Sequence, residues 1–172
     1  MQIIDGGVTA ALGFSANGVA CGVKKRKKDL ALVYSEVPCS FAGSFTTNLV
    51  KAAPVLWDQK LVSSSPQARA IVINSGNANA CTASQGERDA EAMAVHTAKT
   101  LGLLPEEVLV CSTGIIGLPL PMDKIVTGID DCTKVLASSR EGAREAAKAI
   151  LTTDTFTKEI AVSLEIDGKQ VT

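Results

Sequence analysis

Aromatic residues and histidine are scarce in this chain of 172 residues, which contains one Trp, one Tyr, four Phe and one His. The core must therefore be built mainly from Ala, Val, Ile and Leu, a composition that suits layered sheets and helices. An apolar fraction of 46% with a charged fraction of 20% argues against a disordered chain. At this length we expect a single domain over residues 1–172.

The chain also lacks an excess of charge, a long apolar run and a secretory leader. Seventeen basic residues against eighteen acidic ones leave a net charge of -1, so we expect no nucleic-acid partner. No apolar run reaches the ~18 residues that span a bilayer, so we expect no membrane partner. Residues 1–7 lack the basic start and apolar stretch of a signal peptide. These absences favour a cytoplasmic protein.

Cysteine is present, but not in the pattern of a disulfide framework or a zinc site. The five cysteines form an odd, widely spaced set without a Cys-x-x-Cys motif: Cys21, Cys39, Cys81, Cys111 and Cys132. We therefore expect buried thiols in a reducing compartment, no bound metal and no cofactor. The chain has no phosphate-binding glycine–lysine loop and no Gly-x-Gly-x-x-Gly fingerprint, so nucleotide hydrolysis and hydride transfer have no support.

Apolar runs and their periodicity predict strands that alternate with helices. The predicted elements are strands at 30–35, 43–47, 69–73, 108–111 and 158–166, and helices from Pro54 to Ser63, over 85–102 with Gly102 as its cap, from Pro121, and over 141–151. This alternation favours a mixed α/β arrangement. Asp167-Gly168 predicts a two-residue hairpin turn. Because the returning strand has barely begun at Thr172, the pattern predicts part of a longer protein.

Small hydrogen-bonding residues collect at three junctions, 74–79, 112–117 and 152–155. In open α/β sheets the ligand crevice lies beyond the carboxyl ends of the strands. At the step from Thr113 to Gly114, a hydroxyl and a backbone amide supply the two donors that an acyl-transfer oxyanion requires. A threonine in the third junction could hold a substrate amide or carboxylate. A structural role stays open for each junction, as an ordinary connection or a turn whose side chains bond their own backbone.

Two further features, a basic run and the single histidine, are weaker candidates for a functional site. The basic run at 24–28 precedes a predicted strand and favours a solvated turn, and the near-neutral total charge weakens a phosphate contact or a nuclear signal. His96 lies in the helix predicted over 85–102. A nucleophile pair between this histidine and Cys81 or Cys111 is conceivable, but no orienting partner can be identified.

Five separated motifs occur in order over almost the whole chain. They are GVTAALGF at 7–14, FTTN at 45–48 with AAPV at 52–55, NSGNANAC at 74–81, STGIIG at 112–117 with LPM at 120–122, and TTDT at 152–155 with Lys158. In this series the chain resembles the α chain of the bacterial glutamate N-acetyltransferases, also called ornithine acetyltransferases, of arginine biosynthesis.

The resemblance implies a four-layer α/β/β/α sandwich that a second, β chain completes, in a heterotetramer of two α and two β chains. Such enzymes are made as one precursor that cuts itself before a threonine, which becomes the N-terminal nucleophile of the β chain. The acetyl group passes from N-acetylornithine to that threonine and then to glutamate, and acetyl-CoA stays open as a further donor. By resemblance, Thr113 and Gly114 form the oxyanion hole and Thr152 binds substrate, with Thr153 as the fallback.

The resemblance also implies what this chain lacks. In the family the chain continues past Thr172 to a substrate-binding lysine and the cleavage point, so we expect no transferase activity from this polypeptide alone. Thr172 lies in the hairpin's return strand without a matching motif, and we do not expect it to be the nucleophile. Two alternatives stay open: an N-terminal-nucleophile amidase or aminopeptidase of the same fold, and a non-catalytic chain whose loops bind a metabolite or a protein.

Overall fold

The computed structural model describes residues 1–64 and 67–172 and contains two β-sheets. The strands are β1 (Gln2–Ile4), β2 (Phe14–Val19), β3 (Leu30–Ser40), β4 (Gln67–Asn77), β5 (Val108–Ile115), β6 (Ala161–Ile166) and β7 (Lys169–Val171). The helices are α1 (Ala53–Ser64), α2 (Ala83–Leu101), α3 (Met122–Lys134) and α4 (Arg140–Ala149). The larger sheet has the order β2-β3-β4-β5, and the smaller one β1-β6-β7. The predicted mixed α/β class is confirmed.

Side chains of the larger sheet alternate between two apolar faces, as strand geometry requires. The first face, which includes Leu30, Leu32 and Val72, packs against α1, α2 and α3. The buried helical residues on this side are Ala53, Ala90, Met93, Ala94, Ala98, Ile125, Ile129 and Cys132. The second face packs against α4 over Ala16 and Ala31. The larger sheet therefore lies between helices, and β4 and β5 run parallel because α2 forms the crossover between them.

The predicted helices and the hairpin turn are confirmed. Gly102 ends α2 in the left-handed conformation with φ 68°, and its backbone N–H bonds to the carbonyl of Ala98. The hairpin between β6 and β7 turns at Asp167 and Gly168, with φ of 50° and 75°. Two positive φ values are what a type I′ turn needs.

The strand predictions needed more correction. The strand predicted at 43–47 is wrong, because these residues pair with neither sheet in the described structure. Strands β1 and β2 were not predicted, and β2 contains an Asn-Gly pair that is untypical of strands. Its Gly18 lets α4 approach, since an added Cβ would lie 2.3 Å from the carbonyl oxygen of Glu145. The helix predicted over 141–151 ends at Ala149, and the last long strand begins at Ala161 instead of 158.

Groups from outside the larger sheet bond part of each of its edges. At the β5 edge, Trp57 Nε1 donates to the Val108 carbonyl at 3.0 Å, and the Val110 N–H donates to Asp58 Oδ1 at 3.0 Å. At the β2 edge, an isolated antiparallel bridge joins Ala16 to Ala137. Side chains of α1 and one short segment thus satisfy backbone groups that an open edge would leave unpaired.

Asp58 makes the β5 edge sensitive to pH. Burial raises the pKa of its carboxyl to about 6, although the hydrogen bond from the Val110 N–H lowers it. The unfolded chain, with an ordinary carboxyl pKa of about 4, binds that proton less tightly. The folded state is therefore favoured at low pH, and this contribution is lost as the pH rises from about 4 to about 6.

Replacing Asp58 by Asn keeps an oxygen acceptor for the Val110 N–H and removes the buried charge. We expect stability to fall less between pH 4 and pH 6, leaving the variant about 1 kcal/mol more stable at pH 8 after allowance for solvent screening. Urea denaturation across this pH range measures the effect. The exposed pair of Asp131 with Lys134 provides the control, because Asp131→Asn removes the charge of a surface carboxyl and should leave stability at pH 8 close to wild type. An unaltered pH dependence in Asp58→Asn would contradict the assignment.

Within residues 1–64 and 67–172, no helix combines the length and the apolar character that crossing a membrane requires.

Candidate functional site

The junctions 74–79 and 112–117 lie side by side because β4 and β5 run parallel. Ser75 pairs with Thr113 and Gly76 with Gly114, and the register shifts directly afterwards. The first four residues of each junction belong to a strand, which corrects the prediction of loops beginning at 74 and 112. Thr113 and Gly114 are therefore held by a backbone ladder and not by a free loop.

Gly114 lies against the backbone of the neighbouring strand. Its φ is 140°, and an added Cβ would lie 2.3 Å from the carbonyl carbon of Gly76 and 2.5 Å from the nitrogen of Asn77. Gly76 itself has a φ of 106°. Both the conformation and the spacing exclude a side chain at residue 114. The step from Thr113 to Gly114 is thus in close contact with the backbone of β4, which the sequence did not predict. The half-buried Thr113 hydroxyl has no hydrogen-bond partner within the described residues.

The asparagines of junction 74–79 hold backbone in place beside this step. Asn74 donates to the Asn77 carbonyl at 2.8 Å and accepts from Ser112 Oγ at 2.6 Å. Asn77 donates to the Leu118 carbonyl at 3.0 Å, and Asn79 Nδ2 donates to a carbonyl of α2. The structural alternative for this junction is supported, although the side chains bond neighbouring segments as well as their own.

Lys24 connects the third junction, 152–155, to the backbone around Gly76. Its Nζ donates to the carbonyl of Leu151 at 2.7 Å, directly before Thr152. At the other end, Lys24 Cγ lies 2.8 Å from the position of an added Cβ on Gly76. Thr152 is half-buried, and its hydroxyl has no hydrogen-bond partner in the part of the chain that the structure describes.

An open cavity of about 630 Å³ adjoins this junction. Its lining is mainly polar and charged: Lys27, Lys28, Glu145, Lys148, Leu151, Thr153, Asp154 and Thr155. The fallback residue Thr153 is exposed here, whereas Thr152 does not line the cavity.

The basic run at 24–28 is only partly the solvated turn that the sequence predicts. Residues 25–27 are exposed, but Lys24 and Lys28 are half-buried. Lys28 pairs with Glu145 on α4 and donates to the Gly18 carbonyl at 2.6 Å. The two ends of the run therefore tie the loop to α4 and to the segment that follows it.

Residues 21–24 are organised around Asp29, which is fully buried. Its carboxylate accepts backbone N–H groups from Cys21 at 2.7 Å, Gly22 at 3.1 Å and Lys24 at 2.7 Å. Sequence reasoning missed Asp29, Lys24 and Gly76. The sequence contained one indication of the role of Asp29, which is a single acidic residue between a basic run and a buried strand. A carboxylate that is buried there without a cationic partner needs backbone N–H donors.

The cysteines differ in burial, and two of them lie at the surface. Cys132 is buried and Cys21 and Cys39 are half-buried, but Cys81 and Cys111 are exposed, which corrects the expectation that all the thiols are buried. Burial raises the pKa of Cys132 to about 11, which disfavours its thiolate. Across the described ranges, no group of three or more His, Cys, Asp or Glu could hold a metal ion.

His96 does not form the conceivable pair with a cysteine. Its Nε2 lies 2.7 Å from Oδ1 of Asp130, so the contact joins α2 to α3 at the surface. This geometry leaves the step at Thr113 and Gly114 as the strongest candidate for acyl chemistry.

Comparison with known proteins gives curated relatives along the whole chain. The arginine biosynthesis bifunctional protein ArgJ of Caldanaerobacter subterraneus subsp. tengcongensis is 51% identical over 172 residues, covering 100% of this chain and 42% of that protein. The protein of the same name from Symbiobacterium thermophilum is also 51% identical, covering 100% of this chain and 43% of its own length. This chain therefore spans about two fifths of the curated relatives that it matches.

Two solved structures share the fold. The crystal structure of arginine biosynthesis bifunctional protein ArgJ from Bacillus halodurans has a TM-score of 0.95 and 41% identity, covering 99% of this chain and 88% of that chain. The structure of ornithine acetyltransferase complexed with ornithine from Mycobacterium tuberculosis has a TM-score of 0.89 and 44% identity. The match covers 92% of this chain and 86% of that chain. These likenesses confirm the ornithine acetyltransferase type of fold.

The family model of the ArgJ family matches residues 15–172, which include all three junctions and the loop around Asp29. The chain belongs to the ArgJ family.

Proposed function

We propose that this chain is the α-chain part of a glutamate N-acetyltransferase, with residues 1–172 forming one domain of a self-cleaved precursor. The reaction moves an acetyl group from N-acetylornithine to glutamate in arginine biosynthesis, in the cytoplasm. The observation that carries the proposal is the step at Thr113 and Gly114, held against Gly76 in a chain that belongs to the ArgJ family. The name of the M. tuberculosis structure, an ornithine acetyltransferase complexed with ornithine, supports the acetyl donor.

In the proposed mechanism a threonine hydroxyl of the partner chain attacks the acetyl carbonyl of N-acetylornithine, and its free α-amine takes the proton. The Thr113 hydroxyl and the Gly114 amide stabilise the oxyanion that forms. Collapse of this intermediate breaks the C–N bond; the protonated α-amine gives its proton to the leaving nitrogen, ornithine is released and an acetyl-threonine ester remains. The amine of glutamate then attacks the ester carbonyl, the ester C–O bond breaks, and the proton lost by the glutamate amine returns through the α-amine to the threonine oxygen, which releases N-acetylglutamate. Thr152 holds the bound amino acid in both half-reactions. Because the curated relatives are named bifunctional, we propose acetyl-CoA as a second donor.

Two observations support a partner chain. This chain covers 88% of the crystallised B. halodurans chain but only 42% of a curated relative's full length, as a precursor divided into two chains would give. The second face of the larger sheet is only partly covered by α4. Apolar residues such as Ile71 and Leu109 line an open cavity of about 210 Å³ there. A second sheet on this face would complete the four layers, and we propose the α2β2 assembly on this basis.

Replacing Thr113 by Val in the complete enzyme tests the assignment. We expect kcat to fall ~100- to 1000-fold, the usual effect of losing one oxyanion donor. The denaturation temperature should change little, because the hydroxyl has no partner to lose among the described residues. Ornithine release from N-acetylornithine, with and without glutamate, measures the effect.

The exposed Thr127 on α3 provides the control, since its hydroxyl bonds only the Asp123 carbonyl within the described residues and Thr127→Val should leave kcat unchanged. Normal turnover in Thr113→Val would remove the oxyanion assignment. Ornithine release by the wild-type enzyme at the same rate without glutamate would favour a hydrolase instead.

A further inference from the structure

We propose that Lys24 is a positioning residue, which fixes the distance between Thr152 and the step at Thr113 and Gly114. This inference rests on the proposed function, because it assigns the two ends of the Lys24 side chain to the two parts of one acyl-transfer site. Lys24 itself does not touch the reacting atoms.

One end of the side chain holds the segment that carries Thr152. The Nζ of Lys24 donates to the carbonyl of Leu151 at 2.7 Å, one residue before Thr152. The buried Ser75 hydroxyl donates to the carbonyl of Ala149, the last residue of α4. Ser75 is also the ladder partner of Thr113. The end of α4 is therefore tied twice to the part of the molecule that carries the step.

The middle of the side chain lies against the other part of the site. An added Cβ on Gly76 would be 2.8 Å from Lys24 Cγ, and one on Gly114 would be 2.3 Å from the carbonyl carbon of Gly76. Lys24, Gly76 and Gly114 are thus stacked in contact, without space for a side chain between them. A shift of the lysine stem would be felt directly by the backbone beside Gly114.

The base of the side chain is fixed as well. The Lys24 N–H donates to Asp29, whose buried carboxylate also accepts the amides of Cys21 and Gly22. Burial lowers the pKa of Lys24, and the nearby Asp29 charge acts in the opposite direction. Lys24 is therefore held at its backbone, its stem and its ammonium group, which is the arrangement that a spacer of fixed length needs.

The test uses the complete enzyme with Lys24→Met, which keeps most of the apolar stem and loses the donor. We expect acetylation of the enzyme by N-acetylornithine to slow ~10- to 100-fold, since a displacement of about 1 Å can cost 100-fold in rate. Transfer from acetyl-enzyme to glutamate should slow by a similar factor, because both half-reactions use the same site. Mass spectrometry of the acetylated chain after rapid mixing gives both rates and the final extent of labelling.

Lys25→Met is the matched control, because Lys25 lies in the same loop, is exposed and makes no hydrogen bond or ion pair within the described residues. It should acetylate at the wild-type rate. Lys24→Arg keeps a donor and should recover a large part of the lost rate. If Lys24→Met does not accumulate as folded enzyme, Lys24→Leu, which also lacks a donor, replaces it with the same expectation.

A positioning role requires complete labelling at a reduced rate, with a normal denaturation temperature. Rates equal to those of Lys25→Met would overturn the inference, and so would incomplete labelling at a normal rate, which indicates only a loss of folded enzyme. Wild-type enzyme that never becomes acetylated would instead refute the proposed function itself, so the two failures are distinguishable.

Discussion

Replacing Gly114 by Ala is expected to abolish acyl transfer in the complete enzyme, with a loss of more than ~1000-fold in kcat/KM. The new Cβ would lie 2.3 Å from the carbonyl carbon of Gly76 and 2.5 Å from the nitrogen of Asn77, so β5 must move away from β4. The φ of 140° adds backbone strain of about 1–3 kcal/mol. The Gly114 amide, which is assigned to the oxyanion, is then displaced, and the free energy of unfolding falls. Steady-state kinetics and thermal denaturation measure the two effects.

Gly117 provides a matched control in the same segment. It also has a positive φ, of 80°, but an added Cβ there would meet nothing within 4 Å. Gly117→Ala should lower stability by about 1 kcal/mol through backbone strain and leave the rate within a few-fold of wild type. Comparable losses of rate in both variants would mean that the spacing between Gly76 and Gly114 does not explain the effect.

The second large effect is expected for Asp29→Ala, which should destabilise the fold by about 3–5 kcal/mol. The fully buried carboxylate is the acceptor for three backbone amides, and alanine leaves them without one. Because Lys24 loses its backbone anchor, acetyl transfer by the remaining folded enzyme should slow as well. Chemical denaturation gives the change in free energy, and the acetylation rate gives the effect on the site.

Asp131→Ala is the corresponding control, since Asp131 is exposed and pairs only with Lys134 on the same helix within the described structure. It should leave both stability and rate close to wild type. A mild effect of Asp29→Ala, similar to that of this control, would show that water replaces the carboxylate and that the loop does not depend on it.

Local sequence predicts helices better than strands in this fold. The end of α2 at Gly102 and the turn at Asp167 follow from backbone preferences of single residues, and both are confirmed. Strand β2 could not be predicted in this way, because its small residues are favoured only by the neighbouring α4. The run at 43–47 has residues that prefer strands but no partner strand in the described structure. Whether such a segment forms a strand depends on its contacts with residues far away in the sequence.

Local sequence likewise predicts only part of the candidate site. The pair Thr113 and Gly114 indicates two hydrogen-bond donors, but it does not show that a close backbone contact requires glycine at residue 114. The residue that makes it necessary, Gly76, lies on another strand, so its role depends on the parallel register of β4 and β5. Lys24 resembled any residue of a solvated basic run, because its contact with Leu151 spans 127 positions of sequence. The motifs indicate chemistry, but the contacts between segments appear only after folding.

The partly bonded edges of the larger sheet influence how this chain can associate with further strands. Trp57 and Asp58 bond backbone groups of β5, and Ala137 bonds those of Ala16 on β2, so an additional strand finds no free backbone groups at these positions. Side-by-side addition of strands, as in fibrils, is thereby obstructed at these positions, while apolar residues of the second face stay open to packing against another layer. These contacts therefore favour association of this chain through stacking of layers over extension of the sheet.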